Sequence, residues 1–251
     1  MSASVIALII LGCVFGAAML GMLTRLVLPA HHLSSDTKDT VKLAMGLVAT
    51  MTALILGLLV ASAKGSYDTQ RDETTRMGAK IAFLDVLLAH YGPEAADTRE
   101  TLRAASARLI GQLWLVEVAT PLRPDPKATG GEAVYAAIEA LAPQTEAQRA
   151  IKAQSLAAAI ELGQMRWLLY EQSTSAISPP LLIVVVAWLA VIFFSFGLFA
   201  PSNSTVVAAL LISSLSVSGA VLLILELDHP FDGLIRISSE PMRKALEPMP
   251  K

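Results

Sequence analysis

Residues 206–237 read VVAALLISSLSVSGAVLLILELDHPFDGLIRI, an apolar run that stops at an acidic turn. No ionisable side chain occurs in residues 205–225. About 20 apolar residues in a helix cross a bilayer core of roughly 30 Å, so this segment is predicted to span a membrane. Pro230 and Gly233 then end the helix in a turn at the membrane edge.

Three further segments have the same apolar character. Residues 4–28, 43–63 and 181–200 carry no charged side chain except Arg25, at the end of the first. The whole chain is 54% hydrophobic and 16% charged, whereas soluble domains are about 25% charged. The first segment is expected to stay as an anchor, because its apolar run exceeds the roughly 7–15 residues of a secretion signal. The sequence therefore predicts an all-α membrane protein with four transmembrane helices in two hairpins.

Residues 64–180 have a charged composition that predicts an aqueous helical insert between the second and third spans. No proline lies between Leu43 and Tyr91, so the second span is predicted to continue into this insert as one helix. The last helix of the insert is expected to start at a capping box formed by Thr145 and Gln148. The first part of the insert has apolar residues at helical steps, and these are Met77, Ile81, Leu84, Leu88 and Tyr91.

Four domains follow from this pattern. They are a first transmembrane hairpin (1–63), a cytoplasmic helical domain (64–180), a second transmembrane hairpin (181–225), and a cytoplasmic acidic turn and tail (226–251). Lys and Arg near the span ends are more numerous on the side of the large helical domain. We therefore expect a multi-pass protein of the cell inner membrane with both termini in the cytoplasm.

The patterns typical of enzymes are missing from the sequence. The aqueous insert has no nucleophile with a neighbouring base and no glycine-rich phosphate loop. Cys13 is the only cysteine, which excludes an intramolecular disulfide. The net charge of −2 removes the electrostatic argument for nucleic acid. We expect neither an enzyme nor a nucleic-acid partner.

The acidic turn resembles the Asp-Pro-Phe-Gly turn that follows the last membrane helix of bestrophin channels. The whole chain is similar to the bacterial bestrophin-like family with a DUF4239 domain, because two membrane hairpins bracket a helical insert and residues 234–241 continue the motif. The residues of the turn that carry the resemblance are Glu226, Asp228, Pro230, Phe231, Asp232 and Gly233.

The resemblance implies a homo-oligomeric ion channel in the lipid bilayer, with a pentamer as the expected assembly. It implies passive conduction of small inorganic ions, with anions favoured, through a pore that the second span lines. Two features depart from animal bestrophins: the acidic run is sparser than their calcium clasp, and the second span lacks their phenylalanine-rich neck. Calcium gating therefore does not follow from the resemblance.

One side of the second span carries only small side chains at helical steps. This small-residue stripe consists of Gly46, Thr50, Ala53, Gly57 and Ala61. Such a stripe either packs on a partner helix or borders an aqueous path. A path that gates by dewetting needs aliphatic side chains beside hydroxyls. The predicted lining residues are Thr50, Thr52, Ile55, Leu59 and Ser62. The second choice is the serine cluster of the fourth span, Ser213, Ser214, Ser216 and Ser218.

A second class of function stays open at this point. Flagellar stator proteins also have four spans with a large helical insert between the second and third, so the chain could be a stator-like or scaffold membrane subunit that acts through a partner protein. A stator needs a partner with an intramembrane carboxylate, because the spans of this chain have none. A transporter ranks below both, since four spans without repeats offer no alternating-access core.

The acidic turn has two interpretations. Carboxylates at the C-terminal end of a helix oppose its dipole, so Arg236 or Lys244 is expected to offset them as a structural latch. The alternative is a divalent cation such as calcium, held by Glu226, Asp228 and Asp232. No other cofactor is expected. A histidine pair at residues 31–32 is interpreted as part of an exposed loop rather than as a metal or pH site.

Overall fold

The computed structural model describes residues 2–29, 34–114, 130–172, 179–231 and 233–249, and within these ranges it contains helices and no strand. The helices are α1 (Ala3–Val27), α2 (Ser35–Tyr91), α3 (Ala96–Trp114), α4 (Gly131–Glu139), α5 (Glu146–Gln172), α6 (Pro179–Phe199), α7 (Ser204–Asp228) and α8 (Glu240–Leu246). A short 3₁₀ turn, Pro93–Ala95, precedes α3. The predicted all-α class is confirmed.

Two compact units divide the chain. Unit 1 comprises residues 1–67 and 175–229, and unit 2 comprises residues 68–174 and 230–251. The four helices that are long and apolar enough to cross a membrane are α1, α2, α6 and α7. The predicted number of spans is therefore confirmed for the described part of the chain.

In unit 1, α1 packs against both α6 and α7. The backbones of α1 and α6 approach so closely that a Cβ atom on Gly21 would lie 2.1 Å from the carbonyl oxygen of Phe194. A Cβ on Gly197 would lie 1.9 Å from the carbonyl oxygen of Ala18. Only glycine fits at either position. The pairing of consecutive spans into two hairpins stays a prediction.

Gly12 and Gly16 form a small-xxx-small pair, a spacing that favours contact with a neighbouring helix of the same chain over an oligomer seam, and the structure does not show that contact. No atom of another helix lies within 4 Å of the position that a Cβ would take at either residue. The close contact of α1 is made farther along the helix, at Gly21. Sequence spacing alone does not distinguish the pair Gly12 and Gly16 from Gly21, because all three meet the requirement for a small side chain.

The predicted continuity of the second span is confirmed, because α2 runs without interruption for 57 residues. The boundary between the two units falls inside it, after Tyr67. The helix ends where Gly92 adopts a φ of 126°, in the region that favours glycine, and Pro93 follows.

The core of unit 2 lies between α2, α3, α4, α5 and α8. All five apolar residues predicted on one face of α2 are less than 4% exposed: Met77, Ile81, Leu84, Leu88 and Tyr91. One half of the predicted capping box of α5 is present, since the backbone N–H of Gln148 donates to the Thr145 hydroxyl over 3.1 Å. The Gln148 side-chain oxygen accepts from the backbone N–H of Gln144 over 2.8 Å, one residue before the position that a capping box requires. The Gln148 side chain also donates to the carbonyl of Tyr91 over 3.0 Å. This hydrogen bond satisfies a carbonyl at the C-terminal end of α2 that has no partner within the helix.

A bidentate ion pair joins α2 and α3 within unit 2. The Arg99 guanidinium donates from Nε to Oδ1 of Asp85 over 2.7 Å and from Nη2 to Oδ2 over 2.9 Å. The Asp85 side chain is 5% exposed and that of Arg99 is 21% exposed. The hydrogen bond that Arg99 donates to Asp85 raises the pKa of the guanidinium, so Arg99 stays charged at any working pH.

Candidate functional site

The second span is the least covered of the four. In the most apolar window of α2 only 11% of the residues are buried, against 33% for α1, 33% for α6 and 28% for α7. The small-residue stripe of α2, from Gly46 to Ala61, is exposed along its whole length. The leucine-rich stripe of α2 is exposed as well, and consists of Leu43, Leu47, Met51, Leu54 and Leu58.

The predicted lining residues do not share one face. Thr50 is exposed and its hydroxyl donates to the carbonyl of Gly46 over 2.9 Å. Thr52 is 2% exposed and donates to the carbonyl of Val48 over 2.7 Å. Side chains two residues apart in an α-helix lie about 160° apart around its axis. The two threonines therefore lie on nearly opposite sides of α2.

The other three predicted lining residues are divided in the same way. Leu59 is 6% exposed, Ile55 is half-buried and Ser62 is exposed. Thr52 and Leu59 thus belong to the face that packs within the chain, whereas Thr50 and Ser62 belong to the open side. The sequence pattern identified the helix, but the face that packs within the chain follows only from the fold.

Half of the serine cluster of the fourth span is buried. Ser218 is buried and its hydroxyl donates to the carbonyl of Ala7 on α1 over 2.5 Å. Ser214 is fully buried and donates to the carbonyl of Leu211 over 2.9 Å. Ser216 is exposed and donates to the carbonyl of Ile212. Two of the cluster's four hydroxyls are therefore buried within unit 1.

The acidic turn begins at the end of α7, in unit 1. Glu226 and Asp228 are 5% and 8% exposed. The helix ends at Asp228, and the backbone N–H of the capping residue His229 donates to the carbonyl of Glu226 over 3.4 Å. The two carboxylates therefore lie in buried positions at the C-terminal end of a helix, where their charge opposes the helix dipole.

The second half of the turn belongs to unit 2. The Phe231 ring packs edge-on against the indole of Trp114, and the indole Nε1 donates to the carbonyl of Ile237 over 2.8 Å. The backbone N–H of Ile237 donates to the carbonyl of Pro230 over 2.8 Å. These contacts fix the turn on the end of α3. Trp114 was not among the predicted site residues.

Gly233 and Arg236 shape the end of the turn. Gly233 has a φ of 89°, a conformation that favours glycine, and its carbonyl accepts a hydrogen bond from Nε of Arg236 over 2.6 Å. Lys244, the other expected latch residue, pairs with Glu240 over 2.7 Å. Of the two expected latch cations, Lys244 therefore pairs within α8.

The calcium interpretation depends on three carboxylates, and one of them, Asp232, lies outside the described residues. Within the described ranges no group of three or more His, Cys, Asp or Glu side chains is arranged to hold a metal ion. The histidines at 31–32 also lie outside these ranges.

Comparison with known proteins gives one family and one fold. The family described as Bestrophin-like domain matches residues 12–242. No curated protein sequence matches the chain.

The fold is similar to solved structures over almost the full chain. Two variants of a bacterial bestrophin homologue from Klebsiella pneumoniae superpose with TM-scores of 0.69 and 0.68, each at 13% identity. They cover 98% and 96% of this chain and 96% of their own chains. A further crystal structure, described as a membrane protein, superposes with a TM-score of 0.64 at 13% identity and covers 92% of this chain and 94% of its own. At this identity the likeness concerns the fold alone.

Proposed function

Because the chain belongs to the bestrophin-like family, we propose that it works as a homo-oligomeric ion channel in which several copies of α2 surround the conduction path. Proteins of this family are membrane channels rather than enzymes, in agreement with the sequence-based expectation. The proposed assembly is a pentamer in the cell inner membrane, with both termini in the cytoplasm.

The low coverage of α2 is the observation that carries the proposal. A single chain leaves most of the apolar part of α2 exposed, although α1 packs against both α6 and α7. Part of the open side consists of small residues, with Thr50 between Gly46 and Gly57, and such stripes favour close contact with another helix. Repetition of the chain around an axis would cover this side and enclose a path.

The path is proposed to follow the side of α2 on which Thr50, Gly57 and Ala61 lie. Small side chains leave room for ions, and hydroxyl groups replace part of an ion's hydration shell. Thr52 and Leu59 are assigned to the packing of α2 within its own chain, which revises the earlier lining set. Leu54 and Leu58, on the adjoining stripe, are suited to contacts with a neighbouring copy or with acyl chains.

Passive conduction of small ions fits the chemistry of the spans. They contain no Asp, Glu or Lys within their apolar cores, so neither a proton relay nor a charged selectivity ring is available there. A neutral constriction conducts when it is wetted. The preference for anions is proposed from the family resemblance.

The acidic turn is proposed to be a structural anchor rather than a calcium site. Support comes from Phe231, which is packed on Trp114, and from the backbone hydrogen bond between Pro230 and Ile237. In this role the turn ends α7 at a fixed residue and holds the C-terminal segment on α3.

Conductance of the purified protein tests the proposal. The protein is reconstituted alone into planar bilayers, its native mass is measured in nanodiscs, and reversal potentials in a chloride gradient report the preferred sign of charge. The proposal expects an oligomer with discrete currents and a reversal potential near that of chloride. A monomer without current would overturn it and favour the scaffold class, in which a partner protein is required.

A further inference from the structure

A cavity of about 310 Å³ lies in unit 1 between the beginning of α2 and the end of α6. Lys38 and Lys42, one turn apart, line one end of it. Met45 and Ala49 continue the same side of α2, and the α6 wall includes Phe196 and Phe199. The cavity therefore has a cationic end and an apolar body. We propose that it binds one anionic phospholipid, with the phosphate at the two lysines and an acyl chain along the two phenylalanines.

The size and lining of the cavity fit an acyl chain. A closed apolar cavity of about 150 Å³ takes a benzene ring, and this one is about twice as large. Its walls expose mainly carbon atoms, and Phe196 is 50% exposed in the single chain. A free phosphate ion would gain nothing from this apolar surface, whereas an acyl chain removes it from contact with water or headgroups.

The charge around the cavity favours an anion. Asp39 is the nearest counter-ion of Lys42, at 3.6 Å, but the two side chains are 71% and 62% exposed. An exposed pair of this kind contributes little and leaves the ammonium available. Among the described residues that line the cavity there is no carboxylate. Two lysines at the edge of a bilayer attract anionic headgroups, and their long stems reach the interface.

A third cation lies beside the cavity. The Arg25 guanidinium donates a hydrogen bond from Nη1 to the carbonyl of Ala200, which lines the cavity just beyond the end of α6. Of the two carboxylates in the first turns of α2, Asp36 and Asp39, neither lines the cavity. The inference does not depend on ion conduction, because it requires only that unit 1 lies in a bilayer.

The test is lipid titration of the full-length protein, followed by native mass spectrometry. Phosphatidylglycerol and phosphatidylcholine with identical acyl chains are compared on the parent. We expect the parent to bind phosphatidylglycerol more tightly, and the double variant Lys38→Gln/Lys42→Gln to lose about tenfold in that affinity. Ala49→Phe, which fills the cavity, should lower the affinity as well.

Matched controls separate this site from general effects. Lys64→Gln removes a lysine of α2 outside the cavity, and Ala220→Phe adds a ring on the exposed side of α7. Both should bind phosphatidylglycerol like the parent, and sn-glycerol 3-phosphate at millimolar concentration should not displace the lipid. The double lysine variant changes only the polar end, so it is expected to fold even where Ala49→Phe does not.

Four results would overturn the inference. They are an unchanged affinity in the double lysine variant, an equal loss in Lys64→Gln, displacement by glycerol phosphate, and a loss with the lysine variant while a folded Ala49→Phe binds normally. The alternative occupant of the cavity is a second copy of the chain. Disulfide crosslinking between copies through Ala49→Cys, in a Cys13→Ser background, would assign the cavity to a subunit interface instead.

Discussion

The Phe231 ring meets the indole of Trp114 edge-on, with 5.4 Å between the ring centroids and 89° between the ring planes. The same indole donates its Nε1–H to the carbonyl of Ile237. One tryptophan therefore holds the acidic turn by a ring contact and a hydrogen bond. Packing therefore fixes the second half of the turn, which belongs to unit 2.

Phe231→Ala should lower the free energy of unfolding by about 2 kcal/mol, below the roughly 3–5 kcal/mol for a core phenylalanine, because Phe231 is half-buried. The melting temperature of the purified protein in detergent measures this. Phe83→Ala is the matched control, since Phe83 is 52% exposed in the same unit, and it should change the melting temperature little. Equal shifts in the two variants would contradict the assigned role of the turn.

Gly197→Ala should destabilise unit 1 by about 1–3 kcal/mol, because the new Cβ would meet the carbonyl oxygen of Ala18 and force α1 and α6 apart. Gly12→Ala should be neutral or slightly stabilising, since its Cβ has open space and alanine favours a helix. Thermal unfolding of both variants tests the described packing. A stable Gly197→Ala protein would exclude it.

Asp85→Leu should cost about 3 kcal/mol in unfolding free energy, because it leaves the Arg99 guanidinium without its carboxylate. The double variant Asp85→Leu/Arg99→Leu should recover part of that loss, since no charge then remains at the pair. A double-mutant cycle in chemical denaturant gives the coupling energy. Additive losses would mean that the two side chains do not interact in solution.

Calcium should not raise the melting temperature of the parent protein, because the turn is proposed to be an anchor. Asp228→Asn should change stability equally in millimolar calcium and in chelator. If calcium stabilises the parent and not Asp228→Asn, the carboxylates form a cation site and the anchor interpretation fails.

Much of the fold could be predicted from local sequence. The absence of proline between Leu43 and Tyr91 predicted an unbroken α2, and helical steps of apolar residues predicted its buried face in unit 2. These features depend on neighbours within a few turns of the same helix. The cap formed by Thr145 and Gln148 was predictable for the same reason.

Other contacts depend on residues far apart in the chain and could not be predicted in this way. Trp114 reaches a carbonyl 123 residues away. Gly21 and Gly12 look alike in sequence, but only Gly21 meets α6. The opposite placement of Thr50 and Thr52 follows from their spacing in a helix, but a stripe of small residues does not reveal that the rest of the chain buries Thr52 and leaves Thr50 exposed.

The most direct test of a conduction path along the open side of α2 compares Thr50→Cys with Thr52→Cys in a Cys13→Ser background. Each purified protein is reconstituted in bilayers, and its current is recorded before and after small charged methanethiosulfonate reagents of either sign. We predict rapid block of the Thr50→Cys current and no change for Thr52→Cys, because Thr50 is exposed and Thr52 is buried within its own chain. Block of Thr52→Cys with an unmodified Thr50→Cys current would contradict the proposed path.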